Sequence, residues 1–330
     1  MMNRRTIVAA LASILAGLPF SAGAQQQGKA WRVGFFYFGS RQSALTTGRY
    51  NAFVEGMREL GYVEGKNLII EARFGDAETA RLPGLASDLV RLKVDAIVAT
   101  GSPVYSALRH ANVPIPIVVT VTADAVLEGL ATSLAQPGGN FTGLSDTGAE
   151  LGPKQIELLK SALPKMSRAG VLLNPSNGSH PAQLQGLTLA AQNVGIQVVT
   201  ANAARVADIE SGFVSLAREG ADAVIMFGDT FFTQQLQQIA QTAVKHRLPS
   251  IYLTHEYAEA GGLMSYGSDL VDNFRRAASY VEKIFKGAKP GELPFQQPTR
   301  YFLAVNLKTA RTLGLAMPPT LLLRADEVIE

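Results

Sequence analysis

Thr142-Gly143-Leu144-Ser145-Asp146-Thr147-Gly148-Ala149-Glu150-Leu151-Gly152-Pro153 lies near the middle of the chain, and the residues on its two sides read as two versions of one pattern. Before it, Asp95-Ala96-Ile97-Val98-Ala99-Thr100-Gly101-Ser102 is an apolar run ending in a small polar turn. After it, Asp222-Ala223-Val224-Ile225-Met226-Phe227-Gly228-Asp229 repeats the phrase. Further pairs keep the same order. Arg32-Val33-Gly34-Phe35 answers Arg168-Ala169-Gly170-Val171, Leu60-Gly61-Tyr62 answers Val194-Gly195-Ile196, and Val113-Pro114-Ile115-Pro116 answers Leu248-Pro249-Ser250-Ile251. Buried parallel strands look alike in any protein, but pairs matched in register point to two lobes of like build joined through this Gly- and Ser-containing segment.

Working outward, strand-like apolar runs alternate with helical periodicity. Arg32 to Phe38 reads as a strand, Phe38 to Ser43 as a polar turn, and Tyr50, Phe53, Val54, Met57 and Leu60 recur at helical spacing until Gly61. Strands follow at Asn67 to Phe74, Asp95 to Ala99, Ile115 to Val121 and Phe141 to Leu144, with a helix face at Leu82, Leu85, Ala86, Leu89 and Val90. Pro153 is expected to open a helix. The second series places strands at Ala169 to Leu173, Gln197 to Thr200, Ala223 to Phe227, Ser250 to Leu253 and Gly262 to Gly267, then a helix from Asp272 to Phe285 and a late strand from Tyr301 to Val305. The fold class is α/β: two doubly wound parallel-sheet lobes with a ligand cleft between them, beyond the carboxyl ends of the strands.

The 330 residues suffice for two domains, and 47% hydrophobic with 17% charged content suits a well-buried globular chain. Arg4-Arg5, the apolar Ile7 to Phe20 and the small residues Ala22-Gly23-Ala24 form an export signal covering residues 1–24, with Gln25 as the first mature residue. Its apolar run is shorter than the ~20 residues a spanning helix needs. The charge of +3 includes Arg4 and Arg5, and no basic run suggests a nucleic-acid partner. The absence of cysteine rules out disulfides, thiolate metal sites and a lipid anchor on cysteine. The expected location is the periplasm, without an anchor.

Short hydroxyl and amide side chains crowd the carboxyl-end loops. The candidate ligand-binding residues are Ser40, Gly101, Ser102, Thr120, Thr122, Asn174, Ser176, Asn177, Asp229 and Thr230, with Tyr266 at the second crossing offering a ring either to stack on a ligand or to pack a hinge. Free N–H groups at helix starts favour a carboxylate, and Asp229 can hold an ammonium, so the set suits a small zwitterion. Each of these residue types is also an ordinary helix N-cap. Catalytic motifs are thin. Gly56 and Gly61 have Walker A spacing, but Tyr62 stands where lysine is required. No G-x-S-x-G elbow exists, and His110, His180, His246 and His255 lack metal-ligand spacing. His255 could line the cleft or sit on a surface loop. No catalytic residue, metal or cofactor is expected.

Several phrases carry a resemblance: Leu60 to Asn67 (LGYVEGKN), Gln136 to Gly143 (QPGGNFTG), Ala260 to Gly267 (AGGLMSYG), Asn306 to Ala310 (NLKTA) and Pro318 to Glu327 (PPTLLLRADE). With the export signal, they resemble the ABC transporter substrate-binding proteins of the tryptophan/tyrosine-binding (TrpX-like) type, over essentially the whole mature chain. The resemblance implies a type I periplasmic binding fold with three crossings between lobes, no chemistry, a small-molecule ligand, an ABC permease partner and a monomer. It places a ligand's carboxylate and amine at loops matching Gly101-Ser102, Thr120, Asn174 to Asn177 and Asp229. Pro175-Ser176-Asn177 departs from the Ser- and Glu-bearing turn of aromatic amino acid binders, which leaves the ligand open. The expected lobes are residues 29–145 with about 268–290, and 146–267 with about 291–330. Rival readings are a receptor for a membrane sensor kinase and a two-lobed α/β enzyme such as a glycosyltransferase. A LacI-type regulator shares the lobes, but no DNA-binding helices are read before Trp31.

Overall fold

A computed structural model describes residues 29–146, 148–298 and 301–330. The export-signal reading of residues 1–24 lies outside them. Two sheets carry the fold. The first contains β1 (Trp31–Tyr37), β2 (Leu68–Phe74), β3 (Ala96–Thr100), β4 (Ile117–Val119) and β5 (Phe141–Gly143), all parallel, in the order β2-β1-β3-β4-β5. The second contains β6 (Arg168–Leu173), β7 (Gln197–Asn202), β8 (Ala223–Met226), β9 (Ser250–Tyr252), β10 (Met264–Ser268), β11 (Tyr301–Asn306) and β12 (Glu327–Ile329), in the order β12-β11-β10-β9-β8-β6-β7. The run β7-β6-β8-β9-β10 repeats the topology of the first sheet, so the repeat read in the sequence is a repeat of strand order. One contact recurs with it. Asp95 accepts the Arg32 backbone N–H at 2.8 Å, and Asp222 accepts that of Arg168 at 2.9 Å, tying corresponding strands at the same end of each sheet.

Both faces of each sheet are buried, which is why the strands read as near-continuous apolar runs. Phe35 and Phe36 point to opposite faces. Phe35 packs with Val33, Phe53 and Phe274, and Phe36 with Leu89, Ile97 and Leu108. In the other sheet Val171, Ile225 and Ile251 share one core, while Leu172, Val224 and Met226 share another. Each such side chain stabilises the fold by about 1.5–3 kcal/mol relative to exposure.

The chain passes between the sheets three times: after β5, after β10 and before β11. The helix Leu270–Phe285, which follows β10, packs on the first sheet against the helix Arg49–Glu59. Gly56 lets the two approach, since a Cβ there would lie 2.6 Å from the Arg275 carbonyl oxygen. The segment after this helix runs beside β5, where the Gln296 N–H donates to the Gly143 carbonyl at 2.9 Å, before β11 joins the second sheet.

The structure departs from the sequence reading in three ways. The helix expected to open at Pro153 spans Gly148–Ala162, with Pro153 inside it, where proline forfeits one i→i−4 bond near the helix start. β11 runs antiparallel to β10. A short helix at Arg41–Thr46 stands where a turn was read, and short helices at Thr230–Gln234 and His255–Glu259 begin within stretches read as carboxyl-end loops. Five or six residues are too few for a helical period to register.

Candidate functional site

The loops leaving β1, β3 and β4 face those leaving β6, β8 and β9 around a cavity of about 160 Å³. A single water needs only ~10–15 Å³, so the space holds a small organic molecule. The first sheet contributes Tyr37 to Gly39, Thr100 to Ser102 and Val121 to Ala123. The second contributes Asn177, Ser179, Phe227 to Thr230, Leu253 and Thr254. Asp146 and Ser268, beside two crossings, close one wall together with Leu151 and Gln155 of the helix Gly148–Ala162. The lobes touch across the cleft. A Cβ built on Gly101 would lie 3.4 Å from Thr230, and one built on Gly39 would lie 2.6 Å from the Gln234 amide.

Of the residues singled out in the sequence, Gly101, Ser102, Thr122, Asn177, Asp229 and Thr230 line this cavity. The other five stand elsewhere. Ser40 caps the helix Arg41–Thr46 by accepting the Ser43 N–H at 3.1 Å. Thr120 is buried behind the lining, its hydroxyl 2.7 Å from that of Thr100. Asn174 is buried and donates its amide to Asp229 at 3.0 Å. Ser176 is exposed. Tyr266 packs beside Tyr301, with ring centres 5.5 Å apart. His255 also lies outside the lining, edge-on to Phe302.

Asp229 both caps a helix and lines the cavity. One carboxylate oxygen accepts the Phe232 N–H at 2.8 Å; the other accepts the side-chain amides of Asn174 at 3.0 Å and Asn177 at 2.8 Å. Behind it His180 is 2% exposed, its Nδ1 accepting the Asn174 N–H at 3.0 Å, which leaves the proton on Nε2, 3.4 Å from the Gly228 carbonyl. Burial lowers the pKa of His180, against the pull of Asp229, so the ring is neutral.

Among the polar groups on the cavity wall that sequence reading missed are Arg49, Glu128, Asp146 and Gln155. Glu128 accepts the Thr122 hydroxyl at 2.6 Å, and burial raises its pKa. Arg49 donates from Nη1 to the Tyr37 hydroxyl at 2.9 Å and from Nη2 to Glu256 at 2.7 Å, while its Nε has no partner among the described residues. The Nε2 amide of Gln155, a residue 1% exposed, has none either. A buried donor without a partner costs about 1–3 kcal/mol, a penalty that a ligand acceptor would remove.

Asp146 accepts the Ser268 hydroxyl at 2.8 Å, and burial pushes its pKa up to about 6, with Ser268 and Arg276 opposing the shift. The folded protein therefore holds this proton at pH values where the unfolded chain has lost it, so this group's contribution to stability falls as pH rises from about 4 to about 6. Asp146→Asn keeps an acceptor for Ser268 but cannot ionise. Thermal melts of parent and variant from pH 4 to pH 7 are expected to diverge in the variant's favour by the equivalent of about 3 kcal/mol. A gap that does not change with pH would count against this assignment.

Two parallel-sheet lobes closed over a cavity at their strand ends define a ligand-binding protein of the type I periplasmic binding class. A family model described as ABC transporter substrate binding protein matches residues 43–329, and the chain belongs to that family, one of solute-binding proteins and not of enzymes. A tyrosine-binding protein of Clostridioides difficile (strain R20291) is 25% identical over 263 residues, covering 80% of this chain and 75% of the relative. Among solved structures, a conserved domain protein from Vibrio cholerae matches with a TM-score of 0.85 at 30% identity, over 91% of this chain and 100% of that one. The ABC domain from Streptococcus pneumonia in complex with L-Trp matches with a TM-score of 0.84 at 24% identity, over 91% and 100% of the two chains. No helix among the described residues is long and apolar enough to cross a membrane.

Proposed function

We propose that the protein is the periplasmic receptor of an ABC importer, closing as a monomer on an amino acid and delivering it unchanged to a membrane permease. The observation that carries this reading is the cavity between the lobes. Its wall combines unpartnered buried donors, Arg49 Nε and Gln155 Nε2, with the carboxylates Glu128, Asp146 and Asp229. Donors without partners suit a ligand carboxylate, and the carboxylates suit its ammonium group. Tyr37, Phe38 and Phe227 add aromatic wall, and the tyrosine-binding relative and the L-Trp complex favour an aromatic side chain.

The moving units are residues 29–145 with about 268–298, and 146–267 with about 301–330, after export and cleavage behind Ala24; residues 291–298, expected from the sequence with the second lobe, run beside β5 of the first. Closure is a hinge motion stabilised because the ligand binds the closed state better. Calorimetric titration with L-tyrosine, L-tryptophan and a panel of other amino acids tests the reading, beside native mass spectrometry for a carried ligand. One-to-one binding of an amino acid, recovered unaltered, is expected. Failure to bind any amino acid, or recovery of a chemically changed one, overturns it.

A further inference from the structure

We propose that Arg49 joins ligand recognition to lobe closure: Glu256 clamps its guanidinium from across the cleft, and its N–H at Nε, the one guanidinium nitrogen without a partner among the described residues, receives the ligand's carboxylate. The ligand half rests on the amino acid reading above.

Arg49 begins the helix Arg49–Glu59, which packs on the first sheet, and its Nη1 is held by Tyr37 at the end of β1. Glu256 lies in the helix His255–Glu259, which packs against β10 and β11 of the second sheet. Their 2.7 Å contact joins residues 207 positions apart and spans the cleft. Both side chains are buried, with 4% and 10% exposure. Burial alone would raise the pKa of Glu256; Arg49, then His255, outweigh it and hold the carboxyl below its ordinary value. Opening the cleft separates the pair and returns both charges to water, so the pair can form only in the closed arrangement.

A guanidinium is planar and its donors diverge in fixed directions. Anchoring Nη1 and Nη2 therefore also fixes the direction of Nε. That N–H is buried and without a partner among the described residues, in a residue that is 3% exposed and lines the cavity. A carboxylate there would complete a chain from one lobe through Arg49 to the other, so each contact orients the other.

The test uses two substitutions and two readouts. L-tyrosine and L-tryptophan, with their C-terminal amides as probes lacking the carboxylate, are titrated into parent, Arg49→Lys and Glu256→Gln. Inter-lobe distance is measured by spin labels on Ser87→Cys and Ser211→Cys, exposed positions on the two lobes of a chain with no native cysteine. The parent is expected to prefer the acids over the amides. Arg49→Lys should bind the acids roughly thirty-fold more weakly or worse and lose that preference. Glu256→Gln should keep the preference, weaken acid and amide alike, and shift the ligand-free distances toward open.

Arg49→Lys retaining the parent's preference overturns the carboxylate contact. Unchanged distances in Glu256→Gln overturn the latch. If the parent binds neither amino acid, the functional reading and the ligand half fall together, while the distances still decide the latch. Thermal melts of both variants separate these outcomes from misfolding.

Discussion

Gly267→Ala is expected to destabilise the protein by about 3–5 kcal/mol, at the upper end of what overpacking does. Gly267 lies on β10 beside the second crossing, paired with Phe302 of β11. A Cβ there would be driven into the carbonyl of Leu253, the residue that follows β9. The obstacle is backbone, so no rotamer change relieves it; β9 and β10 must separate. Leu253 and Thr254 line the cavity, so the displacement reaches the candidate site directly. The melting temperature should fall by on the order of 10 °C. Gly84→Ala serves as the control. It lies within the helix Leu82–Arg91, nothing stands within 4 Å of its added Cβ, and the change should stabilise by about 0.5–1 kcal/mol. A Gly267→Ala protein that melts with the parent would show that β9 and β10 have slack the structure does not display.

Asp229→Asn is expected to lower both stability and affinity. From the sequence alone asparagine is an equally good cap, and the substitution should leave the fold intact. The structure changes that expectation. Three donors, the Phe232 N–H and the amides of Asn174 and Asn177, converge on the two oxygens of Asp229. Asparagine has one oxygen, so its own NH₂ must face either the helix cap or the pair of amides. At least one buried donor is left unpartnered, at a cost of about 1–3 kcal/mol. If Asp229 also receives the ligand's ammonium, affinity for an amino acid falls by roughly a further 2–5 kcal/mol, the range for truncating one partner of a buried charged pair. Calorimetry with L-tyrosine and with its deaminated analogue, 3-(4-hydroxyphenyl)propionate, separates the two effects. Loss confined to the amine-bearing ligand supports the ammonium contact. Equal loss for both assigns Asp229 to holding the loop, and unchanged melt and affinity would remove both roles.

The residues that the sequence did and did not reveal differ in a physical way. Gly101, Ser102, Asn177, Asp229 and Thr230 were legible because each follows a buried strand, and in a doubly wound sheet those loops face a ligand by construction. Arg49, Asp146 and Gln155 sit at a helix start, beside a crossing and inside a helix. A polar residue turned toward a cleft has the same periodicity as one turned toward solvent, so nothing local marks it. Asn174 was legible as a loop residue, but its work is to hold Asp229 from behind, a role visible only once the β6 and β8 loops are adjacent.

The sequence by itself determined the two lobes, the repeated series of strands and helices within them, and the carboxyl ends of the strands as the side on which the cavity opens. These follow from local quantities: apolar runs long enough to be buried on both faces, and polar turns at their ends. The repeated Arg and Asp marks at β1 with β3 and at β6 with β8 reinforced that reading. The tertiary structure alone decided the antiparallel course of β11 and the pairing of Arg49 with Glu256. A buried strand presents the same apolar run in either direction, so its course is set by where the chain arrives from. A contact between residues 207 positions apart likewise leaves no local pattern, because it exists only when the two lobes meet.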